Sequence, residues 1–166
     1  MINNFNHCLE SINKKNFFIQ DGNDKQPAFI VEKHGEFEVI NNTKHPINFL
    51  KIDSCVANST DNSRCDCAIY NNTTFCFIEL KCIKPKNLQK NRRKAEKQLE
   101  VTIQAFRNKE VLKTKILEAY VCCNCKIGTD SSFEPITKKP NNKERIVYFM
   151  YELNTKLYCD TKKEFN

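Results

Sequence analysis

The chain reads as an α/β fold, with a mixed, mostly antiparallel central sheet flanked by helices in one domain spanning residues 1–166. Three stretches carry that expectation. Arg64 to Lys81 holds two runs of aromatic and branched residues around Asn71-Asn72-Thr73-Thr74, the pattern of a β-hairpin. Lys86 to about Lys109 places Leu88, Arg92, Ala95, Leu99, Thr102, Ile103 and Phe106 at the 3-4 spacing of a buried helical stripe. Lys115 to Lys126 then contains an apolar run, Ile116 to Cys123, that suits a strand joining the sheet after the helix.

The remaining elements follow in order. Phe5, Cys8, Leu9 and Ile12 predict a short amphipathic helix over residues 3–16, with His7 structural or exposed near its start. Asp21-Gly22-Asn23-Asp24 marks a turn. Phe29 to Glu32 and Glu36 to Ile40 read as a hairpin joined through His34-Gly35. After the break at Asn41-Asn42-Thr43 and Pro46, Ile47 to Ala57 reads as the first strand of a central meander, and Asn58 to Ser63 as a polar loop. Asp53 either caps a bend or adds a ligand to a neighbouring site. Pro85 ends the extension of the Arg64–Lys81 hairpin. On the helix that follows, Arg93, Lys97, Glu100, Gln104 and Arg107 lie opposite the apolar stripe, and Gln98 sits at its edge. Ser131 to Asn142 reads as a loop. Arg145 to Glu152 and Lys156 to Cys159 read as a last hairpin around Asn154-Thr155, before a charged, frayed tail.

Charge is concentrated in one place. The formal net charge is +7, and Lys81 to Lys97 holds eight basic residues (Lys81, Lys84, Lys86, Lys90, Arg92, Arg93, Lys94, Lys97) against one acid, Glu96. The other nineteen basic and nineteen acidic residues cancel. Such a segment is either a solvated helix face or a surface for a polyanion such as nucleic acid. Three glycines leave no room for a glycine-rich phosphate loop, and no serine stands in a nucleophile-elbow context. No apolar run approaches a membrane span and the N-terminus lacks a leader's charge order, so a cytoplasmic protein is expected. Most of the ten cysteines fall inside apolar strands and are expected as buried thiols. Cys122 and Cys125 form a C-x-x-C without a matching second pair, so zinc or redox chemistry there is the lesser expectation.

The hairpin carries the chemistry. Strand alternation puts Asp66, Ala68 and Tyr70 on one face of the first arm, and Phe75, Phe77, Glu79 and Lys81 on one face of the second. A four-residue loop pairs Tyr70 with Phe75 and sets Asp66 opposite Glu79; a tight Asn71-Asn72 turn sets Asp66 opposite Phe77. Either register gathers Asp66, Glu79 and Lys81 on one face. Adjacent carboxylates repel, and protonation of one or a divalent cation between them removes the conflict. Two carboxylates with room for water and phosphate suit Mg²⁺ or Mn²⁺.

This acid, E-x-K and hairpin order resembles the PD-(D/E)XK nucleases, the restriction-endonuclease-like superfamily, over about residues 45 to 127. Cys65 stands where the family has its proline. The resemblance implies a restriction-endonuclease-like core and a magnesium-dependent endonuclease. Asp66, Glu79 and the Leu80 carbonyl would hold the metal, Lys81 would orient the attacking water, and Gln98 would face the site from the helix. Glu10 would be the acid on a helix ahead of the meander. It further implies that Lys84, Lys86, Lys90, Arg92, Arg93, Lys94 and Lys97 bind nucleic acid. DNA is preferred over RNA, in phage defence, restriction or repair, with a homodimer or a partner protein adding specificity. Two other readings stay open: a catalytically lapsed nucleic-acid-binding module of the same fold, and a cysteine-metal or protein-interaction module.

Overall fold

The computed structural model describes residues 5–22, 26–57, 63–127, 132–136 and 142–166. A 3-10 turn, Asn6–Cys8, leads into β1 (Leu9–Ile12), β2 (Asn16–Gln20), β3 (Phe29–Val31), β4 (Phe37–Asn41) and β5 (Ile47–Lys51). The hairpin is β6 (Cys67–Tyr70) and β7 (Thr74–Cys82), followed by a 3-10 turn at Pro85–Asn87 and α1 (Leu88–Phe106). The chain then forms β8 (Ile116–Ile127), β9 (Ser132–Pro135), α2 (Lys143–Leu153), β10 (Thr155–Tyr158) and β11 (Lys162–Phe165).

These make an α/β fold of three layers. The central seven-stranded sheet runs β1-β5-β6-β7-β8-β10, with β9 beside the far end of β8. Within it β7, β8 and β10 are parallel neighbours and the other pairs are antiparallel, so the sheet is mixed and mostly antiparallel. One face buries Ala68, Tyr70, Phe75, Phe77, Ala119 and Val121 against Ala95, Leu99, Ile103 and Phe106 of α1 and Phe149 and Leu153 of α2. Phe77 meets Phe106 edge-on at 5.7 Å between ring centres. The other face presents Cys67, Ile69, Cys76, Ile78 and Leu80 to Phe17, Ile19, Phe37 and Val39 of a second sheet, ordered β11-β4-β2-β3. Among the described residues, the central sheet is therefore covered by helices on one face and by the second sheet on the other.

Several local expectations give way to long-range pairing. The predicted N-terminal helix is absent among the described residues. Leu9 to Ile12 instead pairs antiparallel with Ile47 to Leu50. A short helix rich in asparagine is marginal, and a free sheet edge offers those backbone groups better partners. The strands near 29–31 and 37–41 exist but do not pair with each other, because β2 lies between them. The strand expected to reach Ala57 stops at Lys51. There Ile52–Ala57 turns back, with the Val56 and Ala57 amides donating to the Ile52 carbonyl and Ser54 at a positive φ of 60°.

The C-terminal third departs furthest. Residues 145–152 form α2, not a strand: Asn142 caps its first turn through the Glu144 amide, and Asn154 ends it in the left-handed conformation. Part of the expected 131–142 loop is β9, and β10 joins β8 in parallel instead of returning along α2. The tail is not frayed. β11 pairs with β4 and buries Phe165 in the second core. Cys8 and Cys55 are joined by a disulfide, against the expectation of reduced thiols, whereas Cys65, Cys67, Cys76, Cys122 and Cys123 are buried free thiols. The polar loop at 58–62, residues 23–25 of the first turn, and the Cys125 side chain of the C-x-x-C lie outside the described residues.

Candidate active site

The β6–β7 turn fixes the site. Asn71 accepts from the Thr73 and Thr74 amides at 3.0 and 2.9 Å, closing a four-residue loop that pairs Tyr70 with Phe75 and Cys67 with Ile78. The same register, continued by one residue, sets Asp66 opposite Glu79. Both acids are buried, Glu79 completely and Asp66 to 9% exposure. Asp66 accepts from the Leu80 amide at 2.6 Å through Oδ2, while its carbonyl accepts from the Ile52 and Asp53 amides at 3.0 and 3.1 Å. In a strand the amide and carbonyl of one residue point to the same edge. The Leu80 carbonyl therefore looks toward Asp66, and its side chain is buried against the second sheet.

Lys81 shares Glu79's face and forms an ion pair with its Oε1. Glu79 Oε2 is buried with no hydrogen-bond partner among the described residues. Burial pushes the Glu79 carboxyl up to about 7, with Lys81 pulling against it. Asp66 is raised well above the usual carboxylate range by burial and then by the Glu79 charge. Burial opposes the Lys81 charge, yet Glu79 and Asp66 together hold its pKa above the ordinary lysine value.

A third acid arrives from the other sheet. Asp21 follows β2, and its amide donates to Glu36 Oε2 at 2.7 Å. Its carboxyl is raised by burial, lowered by Lys81 and raised by Asp53, and its own charge acts on Asp66 and Glu79. An open pocket of about 400 Å³, lined by Asp21, Glu36, Leu80 and Lys81 among others, gives access from this side. In sequence, Asp21-Gly22 looks like any turn, and no local signal ties it to Glu79. Glu10 does not take that place; on edge strand β1, it forms an ion pair with Lys51. Asp53 sits at the bend, bridged to Ala57, and reaches the cluster through its charge on Asp21.

Helix α1 anchors the segment before Asp66. Gln98 donates through Nε2 to the Arg64 carbonyl at 2.9 Å, and its Oε1 is buried without a partner among the described residues. Thr102, one turn on, accepts from the Cys65 amide at 2.8 Å. Gln98 thus bonds to the backbone two residues before the first acid, and its Oε1 is a spare acceptor among the described residues.

The basic residues divide. Lys86, Arg92, Arg93 and Lys97 line a groove of about 850 Å³ between α1 and α2; Lys84, Lys90 and Lys94 are exposed but do not line it. Sequence reasoning missed the far wall, which is Asn142, Arg145 and Tyr148 of the α2 end. Glu100, expected on the solvent face of α1, is instead covered by α2. Arg145 reaches Glu96 at 3.3 Å and Glu100 at 3.0 Å, and the Tyr148 hydroxyl donates to Glu100 at 3.0 Å.

Comparison with known protein families, curated proteins and solved structures finds no match for this chain. What the site can do follows from its own groups. Asp66, Glu79 and the Leu80 carbonyl could together offer oxygen donors to a metal, and Glu79 Oε2 is buried with no hydrogen-bond partner among the described residues. Such a set suits a hard divalent cation.

Proposed function

We propose that the protein is a metal-dependent nuclease of the PD-(D/E)XK kind, hydrolysing phosphodiester bonds of nucleic acid, DNA in preference to RNA. One observation carries the reading. Two carboxylates are buried side by side with a single lysine, and one oxygen of Glu79 has no partner among the described residues. Two buried acids against one cation leave an excess of negative charge that a divalent ion offsets. The antiparallel β5-β6-β7 meander, followed by α1 and then by β8 parallel to β7, supports a restriction-endonuclease-like core.

Asp66, Glu79 and the Leu80 carbonyl hold Mg²⁺ or Mn²⁺. When bound, the ion supplies Lewis acidity that makes a hydroxide nucleophile available near neutral pH and offsets phosphate charge. Lys81 donates hydrogen bonds to the attacking water or to a phosphate oxygen. Gln98 positions the Arg64–Asp66 segment and offers Oε1 to the same water. Lys84, Lys86, Lys90, Arg92, Arg93, Lys94 and Lys97 hold the backbone of the nucleic acid. A homodimer or partner protein would add specificity, in phage defence, restriction or repair. A cytoplasmic setting accords with five buried free thiols against one disulfide among the described residues.

The Glu79–Lys81 ion pair, which already occupies one carboxylate oxygen, favours a second reading: a nucleic-acid-binding module of this fold whose catalysis has lapsed. Incubation with supercoiled, linear and single-stranded DNA, and with RNA, with and without Mg²⁺ or Mn²⁺, separates the two. Metal-dependent cleavage that Glu79→Gln abolishes is the expected result. Salt-sensitive binding with no cleavage of any substrate would establish the lapsed module in its place.

A further inference from the structure

Beside the oxygen donors, His7, Cys8 and Cys55 form a cluster of a different kind. One ligand atom from each, an imidazole nitrogen and two sulfurs, all lie within 4.8 Å of one another. They come from two hydrogen-bonded turns 47 residues apart: Asn6–Cys8, closed by the Cys8 amide on the Phe5 carbonyl at 2.9 Å, and Ile52–Ala57. His7 is exposed, Cys55 half-buried and Cys8 wholly buried. In the oxidised chain the two sulfurs are bonded to each other.

We infer that His7, Cys8 and Cys55 form a metal site for Zn²⁺ or a similar borderline ion, available only when the Cys8–Cys55 disulfide is reduced. Nitrogen and thiolate ligands select such ions over Mg²⁺, and three protein ligands with an open fourth position are a common zinc arrangement. The reductant is a dithiol. Its thiolate attacks the accessible Cys55 sulfur, the S–S bond breaks, and Cys8 leaves as thiolate. The second thiol of the reductant then displaces Cys55, and the reductant departs as its own disulfide. Two electrons pass to the protein, and both cysteines are left reduced. On ligation the two thiols release their protons to solvent, and neutral His7 supplies the nitrogen. Disulfide and metal exclude each other because both need the same two sulfurs, yet each ties the N-terminal turn to Ile52–Ala57. That second turn bears on Asp66, whose carbonyl accepts from the Ile52 and Asp53 amides.

The test is Zn²⁺ binding by the full chain, measured after equilibrium dialysis in oxidised protein and in protein reduced with a dithiol and desalted without oxygen. Co²⁺ serves as a spectroscopic probe. Reduced wild type should bind one ion more than oxidised wild type, with a thiolate-to-cobalt charge-transfer band. Cys55→Ser should lose that ion. His7→Gln, at an exposed position that does not endanger the fold, should weaken binding at least about tenfold and alter the cobalt spectrum. Equal zinc content in both redox states, or wild-type affinity in His7→Gln and Cys55→Ser, would overturn the inference and move the ligation to other thiols.

Discussion

Glu79→Gln gives the sharpest test of the buried acid pair, because the metal-free and metal-bound proteins should respond in opposite directions. An ordinary glutamate titrates near 4.5, and burial lifts Glu79 to about 7 in the fold. Between those values the native chain binds the extra proton, so stability falls as pH rises. The contribution is full below about 4.5, lost through about 7, and absent above it. A shift of that size corresponds to about 3 kcal/mol held against the ionised form. Gln cannot ionise, so Glu79→Gln should recover up to about 3 kcal/mol at pH about 8 without metal. That corresponds to roughly 6–12 °C in Tm for a chain of this length. Below pH about 5 the variant should match wild type. Asp66 is raised as well and stays in place, so the variant's pH slope should shrink without vanishing. Saturating Mg²⁺ should reverse the order, adding about 4 kcal/mol to wild type at a thousandfold excess over Kd and little to the variant. The assay is thermal or urea unfolding across this pH range, with and without Mg²⁺. Wild type that gains metal-free stability from pH about 5 to 8 would refute the buried-acid argument. Equal stabilisation of both proteins by Mg²⁺ would remove Glu79 from the ligand set.

Other perturbations separate the remaining roles. Lys81→Ala should abolish cleavage while leaving Mg²⁺ affinity within about threefold by calorimetry, since an ammonium is not a ligand. It should also push the Glu79 carboxyl further above its present value by removing the cation that opposes burial. Replacing Arg92, Arg93, Lys94 and Lys97 with Gln should weaken binding to all sequences, lowering the log-log salt slope by roughly 0.7–0.9 per lost phosphate contact. Because Arg92, Arg93 and Lys97 line the groove and Lys94 does not, the single Lys94→Gln variant should have the smallest effect. An equal effect at all four positions would mean that the groove does not seat the backbone. Arg145→Ala should cost about 1–3 kcal/mol in urea unfolding by leaving Glu96 buried without its ion pair. An unchanged midpoint would show that the Arg145 ion pairs do not hold α2 in place.

Where a local period was sufficient, the sequence was readable. Alternation assigned Asp66, Ala68, Tyr70, Phe75, Phe77 and Glu79 to one hairpin face, whereas the choice between the two open registers fell to the Asn71 turn in the structure. The 3-4 stripe of α1 was legible for the same reason: Ala95, Leu99, Ile103 and Phe106 need only a flat apolar sheet to cover. Ile146-Val147-Tyr148-Phe149 misled, because branched and aromatic residues favour strands locally. There, burial of Phe149 and Leu153 one turn apart, with Asn142 and Asn154 as caps, outweighs that weak preference.

Partners distant in sequence were decided only by the tertiary structure. Leu9–Ile12 became a strand because β5 offered it an edge, and Lys162–Phe165 became one because β4 did. Asp21 joined the acids because the second sheet packs over Leu80 and brings the end of β2 beside Lys81. Cys8 met Cys55 because two tight turns face each other across 47 residues. A sequence states the period of each segment, which fixes the face a side chain takes. Which faces and edges meet depends on burying apolar area and pairing backbone groups over the whole chain at once, and no local window contains that competition.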